Sequence, residues 1–204
     1  MPSKFWIAIL AVAAALGGVL AASYVLRPQE NTLQSGSLLP QPRALPEFSL
    51  SDQDGKPFTR AALLGHWSLV FPGFTHCPDV CPTTLAYLKT LRAKLDQQNK
   101  PLSIVFLSVD PERDHGTALA AYLRYFNPAF IGVTAPEPEL SRVAQALLIT
   151  YVKVPGATAD SYSMDHSAAL VLINPQAQVA GFFTPPFQLE PMAADLAKLI
   201  ETAL

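Results

Sequence analysis

This sequence contains few cysteines and carries almost no net charge. The chain holds two cysteines among 204 residues, and its formal net charge is −2. A charge so close to zero offers no basic face, so we expect no nucleic-acid partner. Hydrophobic residues make up 50% of the chain, enough for a substantial core. Length and composition therefore indicate one ordinary globular domain with a segment attached in front.

Charge is absent altogether from residues 5–26, an apolar run of 22 residues bounded by Lys4 and Arg27. Roughly 20 apolar residues suffice to cross a bilayer as a helix. We therefore predict that residues 1–26 form a signal-anchor transmembrane helix, with cleavage near Ala21–Ser23 as the alternative. Positive charge at the N-terminus stays inside, which places the remainder outside the cytoplasm. In a bacterial-type inner membrane this predicts a single-pass protein whose C-terminal domain is periplasmic.

Residues 27–46 lack both helical and strand periodicity and are rich in Pro, Gln and Ser, which predicts a flexible linker. Residues 47–204 then alternate strand and helix patterns. These are a hairpin around Asp54-Gly55, strands at 67–71, 102–109, 130–133, 151–154, 168–173 and 179–183, and helices after Cys81 and at 117–126, 137–149 and 189–204. The pattern predicts an α/β fold with a mixed sheet flanked by helices, and a thioredoxin-like arrangement is the leading candidate.

The two cysteines, Cys77 and Cys81, lie four positions apart between an apolar strand and a helix. Pro78 and Pro82 follow them, which predicts that Cys77 lies on a tight loop and Cys81 at a helix entrance. A helix N-terminus stabilises a thiolate, so we expect a lowered cysteine pKa and a reactive or metal-binding pair. Three intervening residues, one more than in thioredoxin-type redox pairs, leave room for a metal. Oxidation of the pair and a structural disulfide remain alternatives. A disulfide that closes so short a loop removes little entropy from the unfolded chain and would stabilise the fold only weakly.

Three segments together carry a resemblance to a known family. They read FTHCPDVCP at 74–82, SVDPERD at 108–114 and DHS at 165–167. With them the chain resembles, from about Phe48 to Ile200, the Sco/SenC family of membrane-tethered, thioredoxin-fold copper proteins of cytochrome c oxidase assembly. Pro72 departs from the expected aromatic or aliphatic strand residue, and we expect it to bulge or end the strand.

The resemblance implies a copper site at Cys77, Cys81 and His166. Thiolates suit Cu(I) and an imidazole suits Cu(II) as well, so such a set would serve both oxidation states. Asp110, at the end of a predicted central strand, is expected to support the site without binding copper. His76 and His115 are expected to be exposed or peripheral, and Met164 to pack rather than to bind Cu(I).

Three functions remain open from the sequence. The resemblance implies a copper metallochaperone for the dinuclear copper centre of the oxidase subunit, with a copper donor chaperone and a thioredoxin-like reductant as further partners. A thiol–disulfide reductase would use Cys77 and Cys81 as a redox pair, so enzymatic activity stays undecided. A peroxiredoxin-like peroxidase would require a threonine at the position of Pro78, so the sequence disfavours this third function.

Overall fold

The computed structural model describes residues 6, 9, 12, 14–18, 33–158 and 161–202. The chain divides into two compact units, Met1–Asn31 and Thr32–Leu204. The described residues of the first unit are helical. Most of the predicted transmembrane segment, residues 1–26, lies outside the described residues. Among those that are described, no helix is both long and apolar enough to span a membrane.

The second unit alternates strands and helices. Its strands are β1 Gly36–Ala44, β2 Ser49–Asp52, β3 Pro57–Thr59, β4 Trp67–Gly73, β5 Leu102–Ser108, β6 Ile131–Thr134, β7 Tyr151–Pro155, β8 Tyr162–His166, β9 Leu170–Ile173 and β10 Gln178–Phe183. Its helices are α1 Val80–Gln97, α2 Gly116–Phe126, α3 Glu139–Ala146 and α4 Leu189–Thr202, with a short 3₁₀ helix at Arg60–Leu63.

Eight strands form one mixed sheet in the order β1-β10-β9-β4-β5-β6-β2-β3. Its centre is parallel, because β5 pairs in parallel with β4 and with β6. Both faces are covered, which explains why the central strands read as continuous apolar runs. Leu69, Phe71 and Phe106 face a core under α1, α2 and α4. Val70 and Leu107 face a second core under α3.

The predicted mixed sheet with flanking helices is confirmed, together with the β2–β3 and β9–β10 hairpins. The helix predicted at 137–149 is shorter and spans Glu139–Ala146. Strand β8 was not predicted. Among the described residues it pairs only with β7, in a two-stranded sheet separate from the main one.

The prediction of a flexible linker is wrong for residues 36–44, which form β1 and pair antiparallel with β10. Strand periodicity is missing there because β1 is an edge strand with mostly exposed side chains, so its backbone pairing is not reflected in hydrophobicity. Residues 27–32 lie outside the described part of the chain.

Pro72 neither bulges nor ends β4, contrary to expectation, since the strand continues to Gly73 in regular register with β5. The Gly73 carbonyl accepts from Val109 N on the β5 side. Alternate residues point to opposite edges, so the missing N–H of Pro72 faces the β9 side. Pairing with β9 involves only Ser68, Leu69 and Val70, and a proline beyond it removes no ladder hydrogen bond.

Candidate metal centre

The two cysteines lie where β4 ends and α1 begins, as predicted. Cys77 is on the connecting turn, with its N–H bonded to Phe74 O at 3.2 Å. Cys81 is the second residue of α1, and its N–H donates to Cys77 Sγ at 3.4 Å. One orphan donor of the helix N-terminus is therefore satisfied by the Cys77 sulfur. Both cysteines are free thiols.

The lowered pKa expected at the helix entrance is wrong for Cys81. Burial strongly raises the pKa of the Cys81 thiol, and a backbone hydrogen bond from Phe74 offsets only part of that rise. Cys81 is fully buried in the core, whereas Cys77 is half-buried. The loss of hydration raises the free energy of the Cys81 thiolate by more than the helix dipole lowers it. Cys81 therefore favours its neutral form until a cation is present.

His166 lies close to Cys81, although it is 85 positions further along the chain. It is the last residue of β8, and its Nε2 lies 3.8 Å from Cys81 Sγ. Its Nδ1 lies 2.9 Å from Ser167 O. A carbonyl can only accept, so Nδ1 carries the proton and Nε2 presents its lone pair towards the sulfur. The histidine is thus in the tautomer that a metal ligand requires.

Two of the three donors, Cys81 Sγ and His166 Nε2, have the spacing that a shared metal ion requires. Metal bonds of roughly 2.0–2.3 Å from His and Cys ligands place the ligand atoms about 3.5–4 Å apart. The Cys81 Sγ–His166 Nε2 separation of 3.8 Å meets that spacing. Two sulfurs and one nitrogen are donors that suit Cu(I) and accept Cu(II), while Mg²⁺ and Ca²⁺ prefer oxygen.

Gly73 and Asp114 hold the cysteine loop in place. A Cβ at Gly73 would lie 2.7 Å from Phe106 Cε2 and 3.1 Å from Cys81 Sγ, so only glycine allows the sulfur this approach. The fully buried Asp114 carboxylate accepts from Thr75 N at 2.7 Å, from Thr75 Oγ1, and from Ser108 Oγ at 2.8 Å. The sequence marked Asp114 only as part of the 108–114 motif, because its bonds to Thr75, 39 positions earlier, depend on the complete fold.

Asp110, expected to support the site, is 2% exposed. Its carboxylate accepts from Tyr162 OH at 2.8 Å and forms an ion pair with Arg113. These contacts connect it to the hairpin that carries His166. A role for Asp110 in supporting the copper site stays a prediction, and the structure adds Tyr162, which the sequence did not single out, to its neighbourhood.

The remaining candidates lie apart from the two sulfurs or are engaged elsewhere. His115 is exposed, and Met164 is buried in the core, both as expected. His76 is exposed, and it presents ligand atoms within 4.8 Å of those of Asp110 and Asp114. The oxygens of those two carboxylates already accept several protein hydrogen bonds, which leaves little capacity for a cation.

Comparison with known proteins identifies the relationship. The family model SCO1/SenC matches residues 37–201. The chain belongs to the SCO1/SenC family. It is 35% identical to a putative copper-binding protein of Stutzerimonas stutzeri, over 95% of this chain and 93% of that protein. It is 32% identical to the human mitochondrial protein SCO1 homolog, over 92% of this chain and 64% of the relative.

A solved structure of a family member shares the fold. Arabidopsis thaliana ScoI with copper bound superposes with a TM-score of 0.72 at 32% identity, covering 78% of this chain and 98% of that one. The predicted thioredoxin-like fold is thereby confirmed. The match from 37 onward also agrees with a folded domain that starts before residue 47.

Proposed function

We propose that this protein is a copper metallochaperone that binds one copper ion through Cys77, Cys81 and His166. The observation that carries the proposal is the approach of His166 Nε2 to within 3.8 Å of Cys81 Sγ, next to the second free thiol, Cys77, whose sulfur accepts the Cys81 N–H at 3.4 Å. Family membership supports it, because relatives are described as copper-binding and have been solved with copper bound.

The environment of Cys77 and Cys81 suits a site that binds copper and then releases it to a partner. Cys81 is fully buried, whereas Cys77 and His166 are half-buried and accessible to an approaching protein. A partner whose own thiolates or imidazoles reach this side could take the ion by ligand exchange without opening the core. The partner that the family resemblance implies is the copper-bearing subunit of cytochrome c oxidase.

A thiol–disulfide reductase function is the second candidate, and one observation favours it. Cys77 is partly exposed and receives the Cys81 N–H, while Cys81 lies beneath it. This is the arrangement of an attacking thiol above a buried resolving thiol. Reduction of the oxidase subunit's cysteines and delivery of copper would use the same two sulfurs in turn.

We further propose that the chain is anchored by residues 1–26 in a bacterial-type inner membrane. The domain would then face the periplasm, where the copper-bearing part of the oxidase subunit is expected. The supporting observation is the uncharged run of 22 residues between Lys4 and Arg27.

The decisive experiment is a copper titration of the full-length protein and of His166→Ala. We expect one copper ion per chain in the wild type. Two thiolates still hold Cu(I) in the variant, but Cu(II) loses its nitrogen donor, so Cu(II) affinity should fall at least about tenfold and its absorption spectrum should change. His115→Ala, which alters an exposed histidine outside the proposed copper site, is the matched control and should behave as wild type. Unchanged Cu(II) affinity and spectrum in His166→Ala would remove His166 from the site.

A transfer assay separates the two candidate functions. Copper-loaded protein is mixed with the reduced, metal-free copper-bearing fragment of an oxidase subunit, and metal-free protein with Cys77 and Cys81 reduced is mixed with the same fragment in its disulfide form. A metallochaperone fills the reduced fragment, whereas a reductase converts only the oxidised one. Failure of copper to move to the reduced fragment would leave the reductase function alone.

A further inference from the structure

His166 is carried by a hairpin that the main sheet does not hold. Strands β7 and β8 pair only with each other in the part of the chain that the structure describes. The backbone ladder therefore fixes the shape of this hairpin but not its position relative to Cys81. At its base Ser167 N bonds to Thr150 O at 2.9 Å. The remaining placement has to come from side chains.

A cluster of charged and aromatic side chains joins the hairpin to the loop after β5. The Arg113 guanidinium carbon lies 3.7 Å from the centroid of the Tyr162 ring, and Lys153 Nζ lies 3.9 Å from it. Both distances are well within the range of favourable cation–π contacts. We call Arg113, Lys153 and Tyr162 the tyrosine clamp.

Hydrogen bonds hold each member of the clamp. Tyr162 OH donates to Asp110 at 2.8 Å, and Arg113 Nη1 donates to the Tyr162 carbonyl at 3.3 Å. Lys153 Nζ donates to both Glu112 oxygens, at 2.9 and 2.7 Å. Asp110, Glu112 and Arg113 belong to the loop after β5, while Lys153 and Tyr162 belong to the hairpin. The clamp therefore bridges the two.

The clamp acts on the strand that ends in His166. Side chains two apart in a strand share a face, so Tyr162, Met164 and His166 all point towards the domain. Burial agrees, because Ser163 and Asp165 between them are exposed. The Arg113 guanidinium carbon also lies 5.9 Å from the centroid of the Phe74 ring, whose edge-to-face partner is the His166 ring at 6.1 Å. Arg113 thus contacts Tyr162 at one end of β8 and lies close to Phe74, the ring neighbour of His166 at the other end.

We propose that Tyr162 is a positioning residue, and that the tyrosine clamp sets the distance between His166 and Cys81. The clamp fixes one end of β8 and the short base fixes the other, which leaves His166 one orientation. The inference rests on the proposed copper site for its functional consequence, although the clamp itself can be measured without metal. Without the clamp the hairpin keeps its strand pairing and loses its fixed position.

The test uses the full-length protein with three substitutions. Tyr162→Leu removes the aromatic ring and the hydroxyl, Tyr162→Phe removes the hydroxyl alone, and Tyr125→Leu alters a tyrosine that is 82% exposed on α2. Loss of the two cation–π contacts should lower Cu(II) affinity about tenfold in Tyr162→Leu and shift its spectrum towards that of His166→Ala, with Cu(I) stoichiometry unchanged. Tyr162→Phe should stay within about threefold of wild type because it keeps the ring. Tyr125→Leu should match wild type.

A double variant tests whether the effect passes through His166. In Tyr162→Leu/His166→Ala the Cu(II) affinity should equal that of His166→Ala alone, because a residue that acts only by positioning His166 has nothing left to position. An equal loss in both backgrounds would overturn the proposal. So would wild-type Cu(II) affinity in Tyr162→Leu.

Hydrogen exchange in the metal-free protein separates this proposal from the copper site itself. Amides of residues 151–154 and 162–166 should exchange faster in Tyr162→Leu than in wild type, with β4 and β5 unaffected. Lys153→Met, which leaves the core untouched, should show a smaller change of the same kind and serves if Tyr162→Leu fails to fold. Unaltered exchange in both variants refutes the clamp. Faster exchange in a protein that binds no copper through Cys77 and Cys81 supports the clamp and refutes the proposed function.

Discussion

Cys81 combines a fully buried sulfur with a backbone hydrogen bond from Phe74, and these two features act on its thiol in opposite directions. Burial raises the pKa of the thiol, while the hydrogen bond lowers it. The first effect is larger in the metal-free protein. A soft cation between the sulfurs reverses the balance, because it replaces the lost hydration with direct metal–thiolate bonds. Metal binding should accordingly release protons from the pair.

At the same two sulfurs, a disulfide and copper should exclude each other. Copper requires thiolates, and a Cys77–Cys81 bond leaves neither sulfur anionic. The oxidised full-length protein should bind little Cu(I), recover one ion per chain after reduction, and lose binding permanently in Cys77→Ser/Cys81→Ser. Copper titration with thiol counting on the same samples measures this. Stoichiometric high-affinity binding by fully oxidised protein would show that the ligands lie elsewhere.

At the scale of single elements, α4 secures the start of the domain through one buried side chain. Asp195 is 4% exposed and accepts from Gln34 N at 2.8 Å, Ser35 N at 2.8 Å and Ser35 Oγ at 2.9 Å. These bonds fix the residues that lead into the edge strand β1. The carboxylate therefore supplies the tertiary support that the polar sequence of this segment lacks.

Asp195→Ala should lower the free energy of unfolding by about 2–3 kcal/mol, because it leaves partly buried donors without an acceptor. Urea denaturation of the full-length chain measures the loss. Glu201→Ala, on the same helix, breaks only an exposed ion pair with Lys100 and should change stability by less than about 0.5 kcal/mol. Equal stability of the two variants would contradict an anchoring role for Asp195.

The central elements were predictable from sequence, and the outer ones were not. Strands β4 and β5 are buried on both faces, so their pairing is visible as uninterrupted hydrophobicity. Strands β1 and β8 have largely exposed side chains and are held by backbone pairing, Asp195 and the tyrosine clamp. Hydrophobic periodicity does not reflect such contacts, so neither strand was predicted.

The same limit applies to the site at the scale of the whole molecule. The loop, the helix entrance and the spacing of Cys77 and Cys81 were local features and could be predicted. The approach of His166, 85 positions beyond Cys81, depends on the complete fold. It was predicted only through the family resemblance. The raised pKa of Cys81 was missed because burial depends on α1, α2 and α4 packing together on one face of the sheet.

At the scale of the whole molecule, anchoring of the folded unit to a membrane remains a prediction. Residues 1–26 contain an uncharged run long enough to cross a bilayer, and the compact unit from Thr32 onward is separate from it. We expect the full-length protein to fractionate with membranes and to resist extraction by alkaline carbonate. Mass spectrometry should find a mature chain that begins at Met1 or Pro2.

Deletion of residues 1–31 is the matched control for that experiment. The shortened chain retains every residue of the proposed copper site, so it should bind one copper ion while appearing in the soluble fraction. A mature N-terminus near Ser23 or later would mean that the segment is a cleaved signal. The domain would then be free in the periplasm, and its encounter with an oxidase subunit would depend on diffusion in three dimensions rather than along the membrane.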